Sequence, residues 1–192
     1  MSRLLLAALL LAALPAPAEA QRPQERRGFW LAGGLGVGHT TADCDQCAIG
    51  NREGGSYLAL ALGGTVRRNV LVGVELNAWY RGFEDGDESL LGGFTVVQWY
   101  PWDRLGLHLR TGAGWSYARS GYQVEVAAGK DDKLGLGLRF GAGWDVRVGS
   151  MVSITPFLGI HVAALGDRDF LGGTLTNLIS SSRQAGVGVT IH

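Results

Sequence analysis

From residue 133 to residue 148 every second position is apolar: Leu134, Leu136, Leu138, Phe140, Ala142, Trp144, Val146 and Val148 alternate with Gly135, Gly137, Arg139, Gly141, Gly143, Asp145 and Arg147. Successive side chains of a strand point to opposite faces, so a period of two predicts a strand with one apolar face and one small or polar face. The scheme repeats over residues 105–117, where Leu107, Leu109, Thr111, Ala113, Trp115 and Tyr117 oppose Gly106, His108, Arg110, Gly112, Gly114 and Ser116. Residues 29–39, 57–66, 70–83, 152–164 and 183–192 alternate in the same way. Residues 89–100 are strand-like, with their facing left open because Phe94, Val96, Val97 and Trp99 break the alternation. The pattern predicts eight strands.

The joins between them differ by side. Arg67-Arg68-Asn69, Pro101-Trp102-Asp103-Arg104 and a turn near Gly149-Ser150 are short, whereas residues 40–56, 84–88, 118–132 and 166–182 are longer and polar. Short and long joins alternate, as they do in transmembrane barrels with short periplasmic turns and longer external loops. Both chain ends are then expected on the periplasmic side.

Alternation alone leaves open which face is outside, and a soluble barrel would turn its apolar face inward. The content of the faces decides. Gly, Ala, Ser and Thr with isolated charges suit a narrow interior, while Leu, Val, Ile and aromatic residues suit lipid. Phe29, Trp102 and Trp144, with Trp99 or Tyr100, fall near the short-turn ends, and Tyr80, Trp115 and Tyr117 near the long-loop ends, as two interfacial belts require. Composition agrees: there are 31 glycines but 5 prolines, and only Lys130 and Lys133 among lysines, too little charge to cover a soluble exterior. A formal net charge of zero gives no reason to expect a nucleic-acid partner. Arg3, the apolar run Leu4 to Leu14 and the small residues of Ala18-Glu19-Ala20 form the pattern of a secretory signal peptide, too short to span a bilayer. The expected organisation is a signal peptide over 1–20, a loose polar lead-in over 21–27 and a barrel over 28–192. The fold class is all-β: an eight-stranded antiparallel up-and-down transmembrane β-barrel.

The sequence also resembles the small outer-membrane β-barrel proteins of the OmpA-like and opacity-protein type. The resemblance covers residues 28–192 and rests on the opening Gly28-Phe29-Trp30-Leu31-Ala32-Gly33-Gly34-Leu35-Gly36, the turn at Tyr100-Pro101-Trp102, the strand Ile154-Thr155-Pro156-Phe157-Leu158-Gly159 and a last strand running to the C-terminus. It implies architecture and an outer-membrane location, with outer-membrane lipids and the barrel-assembly machinery as partners, and no particular activity. Such barrels commonly end in an aromatic residue; Ile191-His192 puts an imidazole there.

Glu75, Arg81, Arg110, Arg139, Asp145 and Arg147 fall on the inferred inner face, where buried charges must be paired or hydrated. They are expected to form a lumenal ion network, with Glu75 compensating Arg110 or Arg139; the alternative is a gate for a narrow pore. His108 and His161 face inward as hydrogen-bonded lumen residues. Outer-membrane lipid A deacylases share this architecture but carry a His-x-Ser motif, and the matching stretch here is His161-Val162-Ala163, without the nucleophile. No enzymatic role, metal or cofactor is therefore expected. Cys44 and Cys47, in the first long loop, are expected to close a small disulfide; a redox-active pair would need a helix that the pattern does not show. The acidic run Glu84-Asp85-Gly86-Asp87-Glu88 reads as a solvated hairpin tip, with divalent-cation binding as the sharper alternative. The function expected is a structural or surface-interaction role with the external loops as contact surface.

Overall fold

The computed structural model describes residues 26–43, 53–84, 86–102, 105–124, 127–170 and 173–192. They form β1 (Phe29–Asp43), β2 (Glu53–Arg67), β3 (Val70–Phe83), β4 (Gly86–Trp99), β5 (Leu107–Val124), β6 (Ala127–Trp144), β7 (Val146–Arg147), β8 (Val152–Phe170) and β9 (Gly173–Ile191). Each consecutive pair from β1 to β6 is antiparallel, β8 pairs with both β6 and β9, and β1 pairs with both β2 and β9. The sheet therefore closes on itself. The two-residue β7 continues β6 beyond a break at Asp145 and pairs with β8 in its turn, so nine segments make eight barrel strands. Closure leaves no open edge along the wall, which satisfies the backbone groups that hydrocarbon would strand.

The alternation sorts by face as the pattern predicts. Phe29 is 89% exposed and the next residue, Trp30, 2%. Leu35, Val74, Leu76, Leu134, Leu136 and Val187 all stand exposed on the outside. Phe29, Trp99, Trp102 and Trp144 are exposed at the short-turn end, and Tyr80 and Trp115 on the opposite half. Of the pair left open, Trp99 belongs to the outer belt. Tyr100 is fully buried inside the barrel.

β4 shows why its facing was ambiguous. Leu90, Phe94, Val96 and Gln98 are buried in the lumen while Leu91, Val97 and Trp99 face out, so both faces are apolar over much of its length. The lumen is packed as well as polar. Trp30, Ala32, Ala61, Leu71, Phe94, Val96 and Tyr100 form one apolar cluster towards the short turns. Tyr57, Ala59, Trp79, Leu90, Ala163, Leu165 and Leu178 form another towards the loops. Glycine makes room for the first: a Cβ on Gly73 would lie 2.2 Å from the Leu62 carbonyl oxygen and 2.8 Å from the Trp30 indole.

The strands on the loop side are longer than the pattern indicated. The hairpin of β5 and β6 runs to Val124 and Ala127, and that of β8 and β9 to Phe170 and Gly173, through segments expected to be long loops. Once both faces meet water, side-chain alternation is no longer required, but backbone pairing still satisfies donors and acceptors. Pairing between β6 and β8 ends at Leu136 and Ala164, so the two hairpins part beyond that level. The acidic run is also mostly strand: Asp87 and Glu88 pair with Gly82 and Arg81. The expected signal peptide, Cys44, Cys47 and Asp85 lie outside the described residues.

Candidate functional site in the barrel lumen

Between the two apolar clusters lies Glu75, its side chain fully buried on β3. Arg110 on β5 donates from Nη1 to Glu75 Oε2 at 2.8 Å, and Arg139 on β6 places Nε 2.5 Å from Oε1. Asn77 Nδ2 donates to the same Oε1 at 3.2 Å. The arginines are anchored in turn: Arg110 donates to Gln98 Oε1 from Nε at 2.9 Å, and Arg139 from Nη1 to Gln184 Oε1 at 2.9 Å. One carboxylate thus carries two guanidinium groups, each held by an amide. Truncating one partner of a buried pair of this kind costs roughly 3–5 kcal/mol because it leaves an uncompensated charge.

A second buried carboxylate sits at the short-turn rim. Asp145 occupies the break between β6 and β7, where its backbone N–H donates to the Gly106 carbonyl at 3.0 Å. Gly106 is at φ +65°, and a Cβ there would lie 2.4 Å from the Asp145 carbonyl oxygen, so this crossing demands glycine twice over. The bend turns the carboxylate inward. Tyr100 donates to Oδ2 at 2.6 Å and Thr155 to Oδ1 at 2.8 Å. His192 Nε2 lies 3.4 Å from Oδ2, and His108 Nδ1 3.7 Å from Oδ1. Burial alone would raise the Asp145 carboxyl; the His192 contact, the neighbouring His108 and the hydroxyl donors outweigh it and hold the group at about 2. Burial first, and then the Asp145 charge, push the Tyr100 hydroxyl far up, so it stays a donor.

The two centres are joined. Gln98, which accepts from Arg110, donates through Nε2 to the Tyr100 hydroxyl. A polar chain therefore runs from Glu75 to the rim. Beside it lies a cavity of about 40 Å³ lined by Ala32, Ala61, His108, Arg110, Arg139, Thr155 and Thr190, among others. At about 10–15 Å³ per water, it has room for a few water molecules.

Three of the six charges read from the sequence, Glu75, Arg110 and Arg139, meet directly, and Glu75 compensates both arginines rather than one. Asp145 belongs to its own cluster, reached through neutral side chains. Arg81 and Arg147 lie toward the two ends of the barrel rather than beside Glu75. Arg81 is half-buried near the loop end of β3, its guanidinium carbon 5.6 Å over the Phe83 ring. Arg147 turns to the nearby hairpin, donating to the carbonyls of Gly149, at 2.9 Å, and Ser150. Both have the parity of the inner face but lie beyond the packed section of the lumen. His161 Nε2 lies 2.8 Å from Ser116 Oγ, and its ring meets Phe94 edge-on at 4.9 Å. Among the described residues, no group of three or more His, Cys, Asp or Glu is arranged to hold a metal ion.

Arg26 is the largest departure. Expected in a loose lead-in, it is 1% exposed, with its guanidinium carbon 3.4 Å above the centre of the Tyr100 ring. Gln98, Tyr100, Thr155 and His192 also went unread, since neutral donors carry no charge signal and the facing of β4 was open.

A closed eight-strand antiparallel barrel, apolar outside and filled inside, has the fold of the small outer-membrane β-barrels of the OmpA, Ail and opacity type. Among solved structures the chain is similar to the attachment invasion locus protein Ail of Yersinia pestis, with a TM-score of 0.61 and 12% identity over 86% of this chain and 99% of that one. It is likewise similar to Neisserial surface protein A, with a TM-score of 0.56 and 15% identity over 85% and 96% of the two chains. No family model matches the sequence, and no curated protein matches it. The likeness is one of fold.

Proposed function

We propose that this chain is an integral outer-membrane protein, exported by a signal peptide over residues 1–20, with both chain ends on the periplasmic side. Its role is structural or surface-interacting, and the hairpins beyond the membrane are its contact surface. The observation that carries this reading is the filled lumen: two apolar clusters and a clamped Glu75 occupy the interior that a channel would need. An eight-strand interior is just wide enough for side chains. Hairpins carried on a closed wall are suited to binding, because the scaffold holds their bases in place. The name of one structural neighbour as a surface protein, and the crystallisation of Ail in complex with the heparin analogue sucrose octasulfate, agree with a role at the cell surface. That agreement is an analogy of fold. Outer-membrane lipids would contact the apolar exterior, and the barrel-assembly machinery would insert it. Catalysis is no part of the proposal, since the Ser116–His161 pair is buried under Phe94.

The test joins two measurements on the purified protein and on cells producing it. Planar bilayers should show no discrete conductance steps, and protease added to intact cells should cut only within the external joins over residues 40–56, 84–88, 118–132 and 166–182. Steady conductance that changes in Glu75→Ala would replace this reading with that of a narrow gated channel. Failure of the protein to fractionate with the outer membrane would remove it altogether.

A further inference from the structure

The short-turn mouth of the lumen contains a cation whose surroundings are unusual. Arg26 precedes β1, yet it is buried rather than trailing into solvent. The backbone explains how it gets there. Gly28 sits at φ +82°, a conformation that favours glycine, and its carbonyl accepts from the Thr65 N–H at 2.9 Å. This reversal brings Arg26 back over the opening, against Tyr100. The guanidinium carbon then lies over Tyr100, 3.4 Å from the ring centre, and none of its three nitrogens donates a hydrogen bond to a described residue.

What holds it is the ring. Tyr100 is itself fully buried, with the His108 ring 5.2 Å and the His192 ring 6.4 Å from its centre. Its hydroxyl donates to Asp145, which anchors the ring and puts a negative charge at its hydroxyl edge. A cation on an aromatic face is attracted by the ring quadrupole, and more strongly where water is excluded. Guanidinium is planar and weakly hydrated, so it can be buried against a ring where an ammonium would give up more hydration. Thr155 and Thr190 share a hydrogen bond at 2.9 Å, Thr155 also donates to Asp145, and both line the central cavity together with His108. The mouth and the cavity are thus contiguous.

We propose that Tyr100 and Asp145 form a guanidinium-binding site whose occupant is the chain's own Arg26, and that this contact latches the segment ahead of β1 across the turn-end opening of the lumen. The latch goes beyond the functional reading above and holds for either a silent barrel or a narrow channel.

The experiment measures entry of a small reagent into the cavity. In full-length protein carrying Cys44→Ser and Cys47→Ser, Ala32→Cys places one thiol on the cavity wall, and its labelling by sulfonatoethyl methanethiosulfonate is timed in detergent. Arg26→Ala should label about ten-fold faster than the parent, and Arg26→Lys nearly as fast, because the ammonium packs less well on the ring. Millimolar guanidinium chloride, far below denaturing concentrations, should slow the Arg26→Ala protein back towards the parent rate and leave the parent unchanged. Tyr100→Leu should label fast and show no rescue. Heat-modifiable migration of each variant confirms folding, and Arg26→Gln serves the same comparison should Arg26→Ala misfold. Equal rates with and without Arg26 would overturn the latch. A faster rate that guanidinium does not reverse would overturn the binding site.

Discussion

Among the described residues the lumen buries two carboxylates and solves the same problem twice. Glu75 sits mid-barrel and is met by two guanidinium groups at 2.8 and 2.5 Å. Asp145 sits at the rim and is met mainly by neutral donors, Tyr100 and Thr155, with the imidazoles of His108 and His192 farther off. The difference follows from where each lies. In mid-barrel, where Glu75 is fully buried, a lone anion is prohibitive and an opposite charge must be supplied, although the pair gains little over an apolar filling. At the rim, hydroxyl donors suffice and the cation can stand one ring away. Charge pairing is a property of two residues, whereas neutral solvation is a property of a whole neighbourhood.

Removing each carboxylate should therefore have unequal consequences. Glu75→Ala leaves Arg110 and Arg139 facing one another without an anion, and should lower the unfolding free energy in lipid or micelles by about 3–5 kcal/mol, read from the urea midpoint. Asp145→Ala strands the hydroxyls of Tyr100 and Thr155, which can turn to water or to each other, and leaves Arg26 on a ring with no anion at its edge, with an expected loss of about 1–3 kcal/mol. An equal loss at both sites would show that the rim is as tightly coupled to charge as the centre. A conservative change separates them further: Asp145→Asn keeps an acceptor for Tyr100 but loses the charge, and should cost about 2 kcal/mol near neutral pH.

Acid provides the finest test. The folded Asp145 carboxyl is held at about 2, below the ordinary aspartate value of 3.8. A depressed folded value stabilises the barrel fully above the unfolded value, and that contribution fades as pH falls from about 4 through about 2. The stability gap between the parent and Asp145→Asn should shrink over that window. A gap that stays constant would place the benefit of Asp145 in its geometry rather than its charge.

Much of the wall was legible because lipid outside and small residues inside impose strict alternation, as in residues 133–148. Legibility failed where that constraint lapsed. Over β4 both faces are apolar, since Leu90, Phe94 and Val96 fill the lumen, and a period of two disappears when neither phase is polar. In the hairpins of β5–β6 and β8–β9 the sequence alternation lapses while backbone pairing continues, so strands read as loops. The central site was half legible: Glu75, Arg110 and Arg139 announce themselves by charge, and Arg81 and Arg147 share their parity without sharing their depth. The rim was opaque, because Tyr100 was weighed as a lipid-facing aromatic and Arg26 as a solvated one.

The seam between β1 and β9 has a bearing on how such a chain comes to be folded. Leu31 is paired with Ile191 and Asp43 with Ile179, so the earliest strand is completed only by the latest. Until that pairing forms, two rows of amide groups remain bare, and each costs several kcal/mol in hydrocarbon. An intermediate that enters the bilayer strand by strand would carry this penalty at every stage. The chain must instead wait at the water boundary, shielded or partly curled, and cross as a ring.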